Sequence, residues 1–139
     1  MRTLLLAIIV SCGLALTAVE AKDHSTPSDA IEKTIADQIA AFRSDDAERA
    51  FSFASPTIRR QFGSASVFMS MVVRGYPQLY RPQAYHFAER ESRGKHTIQR
   101  VIVTGPDGDK VAAYYDMIQV DGQWRINGCQ LARLPGQNI

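Results

Sequence analysis

From Ile31 onward apolar side chains recur every three or four positions, as Ile31, Ile35, Ile39 and Phe42. That spacing keeps one face of an α-helix against a core. Thr26 as N-cap, Pro27 at the first helical position and Asp29 in the first turn predict where this amphipathic helix opens. "DDAERAFSFAS" repeats the logic, with Asp45 and Glu48 spaced as a capping box and Ala47, Ala50, Phe51 and Ala54 on one face. Ser55 and Pro56 start a short helix that Gly63 stops, and Ser64 or Ser66 starts a fourth that runs to Gly75.

Beyond Gly75 the period falls from 3.6 to 2. "YPQLYRP" cannot continue a helix, since Pro77 and Pro82 remove donors and extend the residues before them. It is read as the crossing from helices to sheet, with Tyr76 and Tyr80 packed over the end of the core. Four strands follow: "QAYHFAERES" to the turn at Gly94-Lys95, "HTIQRVIVT" to "GPDGD", "KVAAYYDMIQV" to Asp121-Gly122, and "QWRINGCQLA" to Arg133. Asp-Gly between two alternating runs is a strong hairpin signal. The expected domain is α+β, spanning 27–134, with N-terminal helices packed on a curved four-stranded antiparallel sheet and a short tail at 135–139.

A two-residue turn at Asp121-Gly122 places Val120 opposite Gln123, Ile118 opposite Arg125, Asp116 opposite Asn127 and Tyr114 opposite Cys129. Pairing Thr104 with Lys110 then puts Ile98, Arg100 and Ile102 on the Asp116 face and Val101 and Val103 on the Trp124 face. One strand further, Tyr85, Phe87 and Glu89 fall with Arg100, and His86 and Ala88 with Val101. The Trp124 face, with Val101, Val103, Ala113, Tyr115, Met117 and Ile126, is the one for helices to cover. The other mixes Arg100, Asp116, Arg125 and Asn127 with Tyr114 and Ile118, and is either half-solvated or shared with a second subunit. Those four polar residues are the candidates for a homodimer interface.

The first residues stand apart from this domain. A short basic start at Arg2, the apolar run "LLLAIIVSCGLALTA" and small residues before Ala21 make residues 1–21 a secretory signal peptide with cleavage after Ala21. The run is shorter than the roughly 20 residues of a membrane span, so no stable membrane anchor is expected and residues 22–26 are a polar lead. "IVSC" resembles a lipoprotein cleavage box, but the apolar run continues past Cys12 to Ala18. The expected location is periplasmic or secreted. Cys12 leaves with the signal, so Cys129 has no partner within the chain and reads as a small buried apolar residue. Net charge is +2 over the whole chain, and no basic stripe is concentrated anywhere, which argues against nucleic acid.

Catalytic patterns are missing. "GSAS" lacks the spacing of a nucleophile elbow, and His24, His86 and His96 form no metal-ligand pattern, so neither a metal nor a cofactor is expected. "GPDGD" is a turn, too short for a calcium loop. Asp116 beside Arg125 and Asn127 is a cross-strand polar group of the kind that stabilises sheets by about 0.2–1 kcal/mol, and the pattern forces no histidine beside it.

The strings "AFRSDDAERAFSFASPTIRRQFGSASVFMSMV", "YPQLYRP" and "GQWRINGCQL" together resemble an uncharacterised family of small exported bacterial proteins, a domain of unknown function, over about Ile31 to Leu131. More distantly, helices followed by a sheet ending in "DGQWRI" are similar to the nuclear-transport-factor-2-like superfamily, with its SnoaL-type polyketide cyclases and ketosteroid isomerases. That resemblance implies a cone whose concave face is the Trp124 face. His86, Tyr115, Met117 and Trp124 are then the ligand-pocket candidates, for a small apolar ligand. The superfamily's enzymes use a buried aspartate or a His/Asp pair inside the cone, and here only His86 is expected on that face. The expected function is a non-enzymatic binding or accessory module of the envelope, with a homodimeric assembly protein using the mixed face as the alternative and an isomerase or hydratase behind both.

Overall fold

The computed structural model describes residues 29–135. The signal segment, the polar lead and the expected cap at Thr26 lie outside the described residues. Helix α1 spans Ala30–Arg43, and its N-cap is Asp29, whose carboxylate accepts from the Ile31 and Glu32 amides at 3.0 and 3.1 Å. The acid assigned to the first turn is thus itself the cap, satisfying donors that the first turn of a helix leaves open. Four more helices follow: α2 (Ala47–Ser52), α3 (Pro56–Phe62), α4 (Ala65–Gly75) and α5 (Pro77–Tyr80). Asp46, not Asp45, caps α2. Asp45 instead takes a left-handed φ of 54° and accepts from the Tyr80 hydroxyl and from Arg81 at 2.9 Å. The crossing does not continue α4, but it contains a separate turn of helix, because Pro77 stands at its first position, where no donor is needed.

The strands are β1 (Ala84–Arg93), β2 (His96–Thr104), β3 (Lys110–Val120) and β4 (Gln123–Arg133), in one antiparallel sheet of order β1-β2-β3-β4. Asp121 and Gly122 have φ of 52° and 77°, the doubly positive pair that a tight hairpin turn needs. Thr104 pairs with Lys110, and the β2–β3 register runs without a break. Two irregularities depart from simple alternation. β1 shifts between Phe87 and Arg90 against β2, and the β3–β4 register shifts at Asp116/Met117, where Asp116 pairs with Gly128 and Met117 with Ile126. Each adds one residue to one strand and reverses which side its neighbours face.

One hydrophobic cluster joins Ile31, Ile35, Ile39 and Phe42 of α1, Phe51 of α2, Phe68 and Val72 of α4 and Leu79 of α5 to Val101, Val103, Ala113, Tyr115, Met117 and Ile126 of the sheet. Burying an aliphatic or aromatic side chain of this size stabilises by about 1.5–3 kcal/mol. The link between α2 and α3 closes part of the β4 edge, since Ser55 N donates to Ile126 O and Ile126 N to Phe53 O, both at 2.8 Å.

Arg90 ties the start of α1 to the sheet. Its guanidinium meets Asp29 at 2.7 Å, and its Nε donates to Gln99 Oε1 at 2.7 Å. The hydrogen bond from Arg90 holds the Asp29 carboxyl below its ordinary range, against the opposing effect of burial. A depressed folded-state pKa gives stability that is complete above the unfolded value of about 4 and is lost as pH falls through the folded one. Asp29→Asn keeps a cap oxygen without the charge, so it is expected to flatten the acid limb of the urea midpoint between pH 5 and pH 2. An acid limb identical to that of the wild type would show that the pair does not contribute.

Candidate functional site

α3 carries only two apolar residues on its inward side, Ile58 and Phe62, four positions apart, and buries none of its residues completely. Such a thin stripe lets the helix lean on the core without filling the space beneath it. A half-open cavity of about 190 Å³ remains there. Ile58, Gln61 and Phe62 of α3 and Phe68, Met71 and Val72 of α4 form one side, and Gln38 and Phe42 of α1 another. Tyr76 and Leu79 come from the crossing, and Ala54, Tyr115, Ile126, Gly128 and Cys129 complete the floor. No carboxylate, guanidinium, ammonium or imidazole is among these lining groups.

Three ionisable groups do line it, and all are held neutral. Tyr115 is 1% exposed, and its hydroxyl has no hydrogen-bond partner. Desolvation pushes its pKa well above the ordinary phenol value. Tyr76 donates its hydroxyl to the Cys129 carbonyl at 2.8 Å, and burial raises its pKa too. Burial also pushes the Cys129 thiol up, away from the thiolate that a nucleophile or metal ligand requires. Among the described residues no His, Cys, Asp and Glu groups stand close enough to hold a metal ion, and no helix is long and apolar enough to cross a membrane.

Of the four expected pocket residues the cavity takes only Tyr115. Met117 is fully buried in the core, and Trp124, half-buried against the same core, lies towards the Asp121-Gly122 end; neither lines the cavity. His86 pairs with Ile102 and is exposed on the opposite face, while Tyr85 and Phe87 pair with Val103 and Val101 and turn inward. The β1 register thus differs by one residue from the simple alternation, and the shift before Arg90 restores Glu89 to the outer face, where it meets Arg100 at 2.7 Å. Cys129 likewise pairs with Tyr115 and not Tyr114, because Asn127 is the extra residue of β4. These inversions bring Cys129 to the cavity and remove His86 from it. The polar residues proposed for an interface share the outer face, but each has a partner within the chain. Asp116 is held by His96 Nδ1 at 2.7 Å and by Asn127 Nδ2 at 3.0 Å, Asn127 accepts from Ser55 Oγ at 2.8 Å, and Arg125 donates to Gln123 at 2.5 Å. A histidine does stand beside Asp116 after all: with Ile98 opposite Asp116, His96 falls diagonally next to it. Tyr76, Gln38, Met71 and Cys129 were not singled out for the cavity from the sequence.

A family model described as Domain of unknown function (DUF4864) matches residues 24–139. The chain belongs to the DUF4864 family. The DUF4864 match takes in the whole described domain, cavity and outer face together. Among curated proteins no significant match to the chain is found. The chain is similar to the solution structure of a SEC-C motif containing protein from Rhodopseudomonas palustris, at 13% identity and a TM-score of 0.52, over 71% of this chain and 76% of that one. At that identity the likeness concerns the fold alone.

Proposed function

We propose that this DUF4864 protein is an exported, non-enzymatic binding module that holds one small, largely apolar molecule in the cavity over Tyr115. The observation that carries the reading is an apolar cavity whose lining brings no formal charge, with Tyr115 in its floor and the hydroxyl of that residue buried and unpartnered. A buried polar group left unpaired costs about 1–3 kcal/mol, and an occupant that pairs with it removes that cost. A cavity of about 150 Å³ accepts benzene, so about 190 Å³ suits a single ring with a small substituent. Binding is favoured over catalysis because a general base works best with a pKa near the operating pH, and all three ionisable groups of the cavity are shifted upward. His86 and Asp116, the residues an isomerase reading would require inside, lie on the other face. The apolar run from Leu4 to Ala18 supports export into the envelope. Helices gathered on one face of a sheet bent by two bulges support a cone of the nuclear-transport-factor-2-like kind.

Val72→Phe tests this reading. Val72 is buried on α4 and faces the void, so the added ring enters existing space and escapes most of the roughly 1–3 kcal/mol strain of overpacking. The variant is expected to keep its fold and to bind toluene at least about tenfold more weakly than the wild type, measured by ligand-observed NMR on the chain from Lys22 to Ile139. Equal affinity in both proteins, or a wild type that binds neither toluene nor acetophenone, would refute the reading.

A further inference from the structure

The polar inventory of the cavity is short enough to specify what its occupant must carry. Among the described residues Tyr115, in the floor, is the lining residue with a side-chain polar atom buried without a partner, while Gln61, on α3, is exposed to solvent. Tyr76 Oη is engaged by the Cys129 carbonyl, and Gln38 Nε2 donates to the Ala50 carbonyl at 3.2 Å. A neutral phenol in apolar surroundings offers one strong O–H donor, and no lining group supplies a formal charge of either sign. An ion brought into such a site gives up its hydration without a counter-charge, the most expensive form of polar burial. A pure hydrocarbon leaves the Tyr115 donor as orphaned as before.

We infer that the cavity selects a neutral molecule of about one ring in size with a single exposed hydrogen-bond acceptor, of the ketone, aldehyde or ester class. The acceptor takes the proton of the Tyr115 hydroxyl, which lies just beneath the cavity surface and meets the occupant through a small shift of the floor, while the rest of the molecule fills the apolar space between Phe62 and Val72. Carboxylates and organic cations are refused. This assignment rests on the binding reading above and adds the chemistry of the occupant. Tyr115 is its specificity residue.

Three probes of nearly the same shape separate the possibilities: acetophenone, α-methylstyrene with a CH2 in place of the carbonyl oxygen, and benzoate with a charged oxygen in place of the methyl group. Dissociation constants are measured by NMR titration for the chain from Lys22 to Ile139 and for its Tyr115→Phe variant. Differences in ligand hydration cancel when the acetophenone to α-methylstyrene ratio is compared between the two proteins. Tyr115→Phe is expected to shift that ratio about tenfold against acetophenone, with α-methylstyrene bound as well as or better than before, and benzoate bound by neither protein. Carbonyl-labelled acetophenone in the wild type supplies a readout that needs no variant, its bound 13C resonance moving downfield from the value in hydrocarbon solvent. A ratio unchanged by the substitution, or a bound resonance at the hydrocarbon value, overturns the acceptor assignment while leaving the binding reading intact. Benzoate bound more tightly than acetophenone overturns the neutral-ligand assignment. Failure of both acetophenone and α-methylstyrene to bind the wild type overturns the binding reading and this inference with it.

Discussion

Phe68→Ala is expected to lower the stability of the fold by about 3–5 kcal/mol, seen as a fall in the urea midpoint at constant slope. Phe68 is 5% exposed on α4, and its ring meets those of Phe51, Phe62 and Phe42 at centroid distances of 5.3, 5.7 and 6.3 Å. It is therefore the contact on α4 that α1, α2 and α3 share. Phe68 also walls the cavity, so the space left by the ring adds to a void already present. The penalty grows by about 24 cal/mol for each Å³ that the structure cannot close, and an open neighbouring void gives nothing to close it with. A loss under about 1 kcal/mol would mean that α3 collapses onto the gap.

Gln99→Leu is expected to cost about 2–4 kcal/mol, although leucine is apolar and similar in size, because it strands two backbone carbonyls and a guanidinium N–H, all part-buried, at up to about 1–3 kcal/mol each. Gln99 is fully buried beside Tyr115 in the middle of the sheet. Its amide donates to the Ala88 carbonyl at 3.0 Å and to the Arg100 carbonyl at 2.9 Å, and its oxygen accepts from Arg90 Nε at 2.7 Å. Ala88 lies within the irregular part of β1, so Gln99 supplies a partner for backbone that the ladder leaves out. Loss of amide-exchange protection in β1 ahead of β3 and β4 checks this account. Uniform weakening of all four strands would place the effect in the core instead of the bulge.

The elements themselves were legible from local rules. His96–Thr104 and Lys110–Val120 end where the sequence analysis ended them, because Gly94, the Gly105–Asp109 loop and Asp121-Gly122 punctuate alternating runs. Which way the side chains face was legible only as far as alternation lasts. His86 and Cys129 each sit beyond a one-residue irregularity, and one residue is enough to exchange the faces of a strand. Asn127-Gly128 carried a signal for it, since glycine inside a strand often marks a bulge. "FAER" carried none: the shift in β1 is held by Gln99 and Arg90, contacts made only after the sheet has formed. The His96–Asp116 contact was readable from the register, two residues along from Ile98. The cavity was not readable at all, because it is a failure of α3 to fill a volume, and periodicity describes what each helix buries and not what several helices together leave empty.

The bracket that Phe53 and Ser55 place on Ile126 reaches beyond local bonding. An uncovered outer strand is a template on which a second chain can add, the first step of edge-to-edge aggregation and fibril growth. Here the α2–α3 link takes the hydrogen bonds at Ile126, and the Tyr76 hydroxyl takes the carbonyl of Cys129 further along. At the opposite border, Glu89, Arg90, Glu91 and Arg93 give β1 alternating charges that oppose stacking. Both borders of the sheet are thus guarded against recruitment by different means, one in part by bonds from the chain's own link and Tyr76 and one by charge.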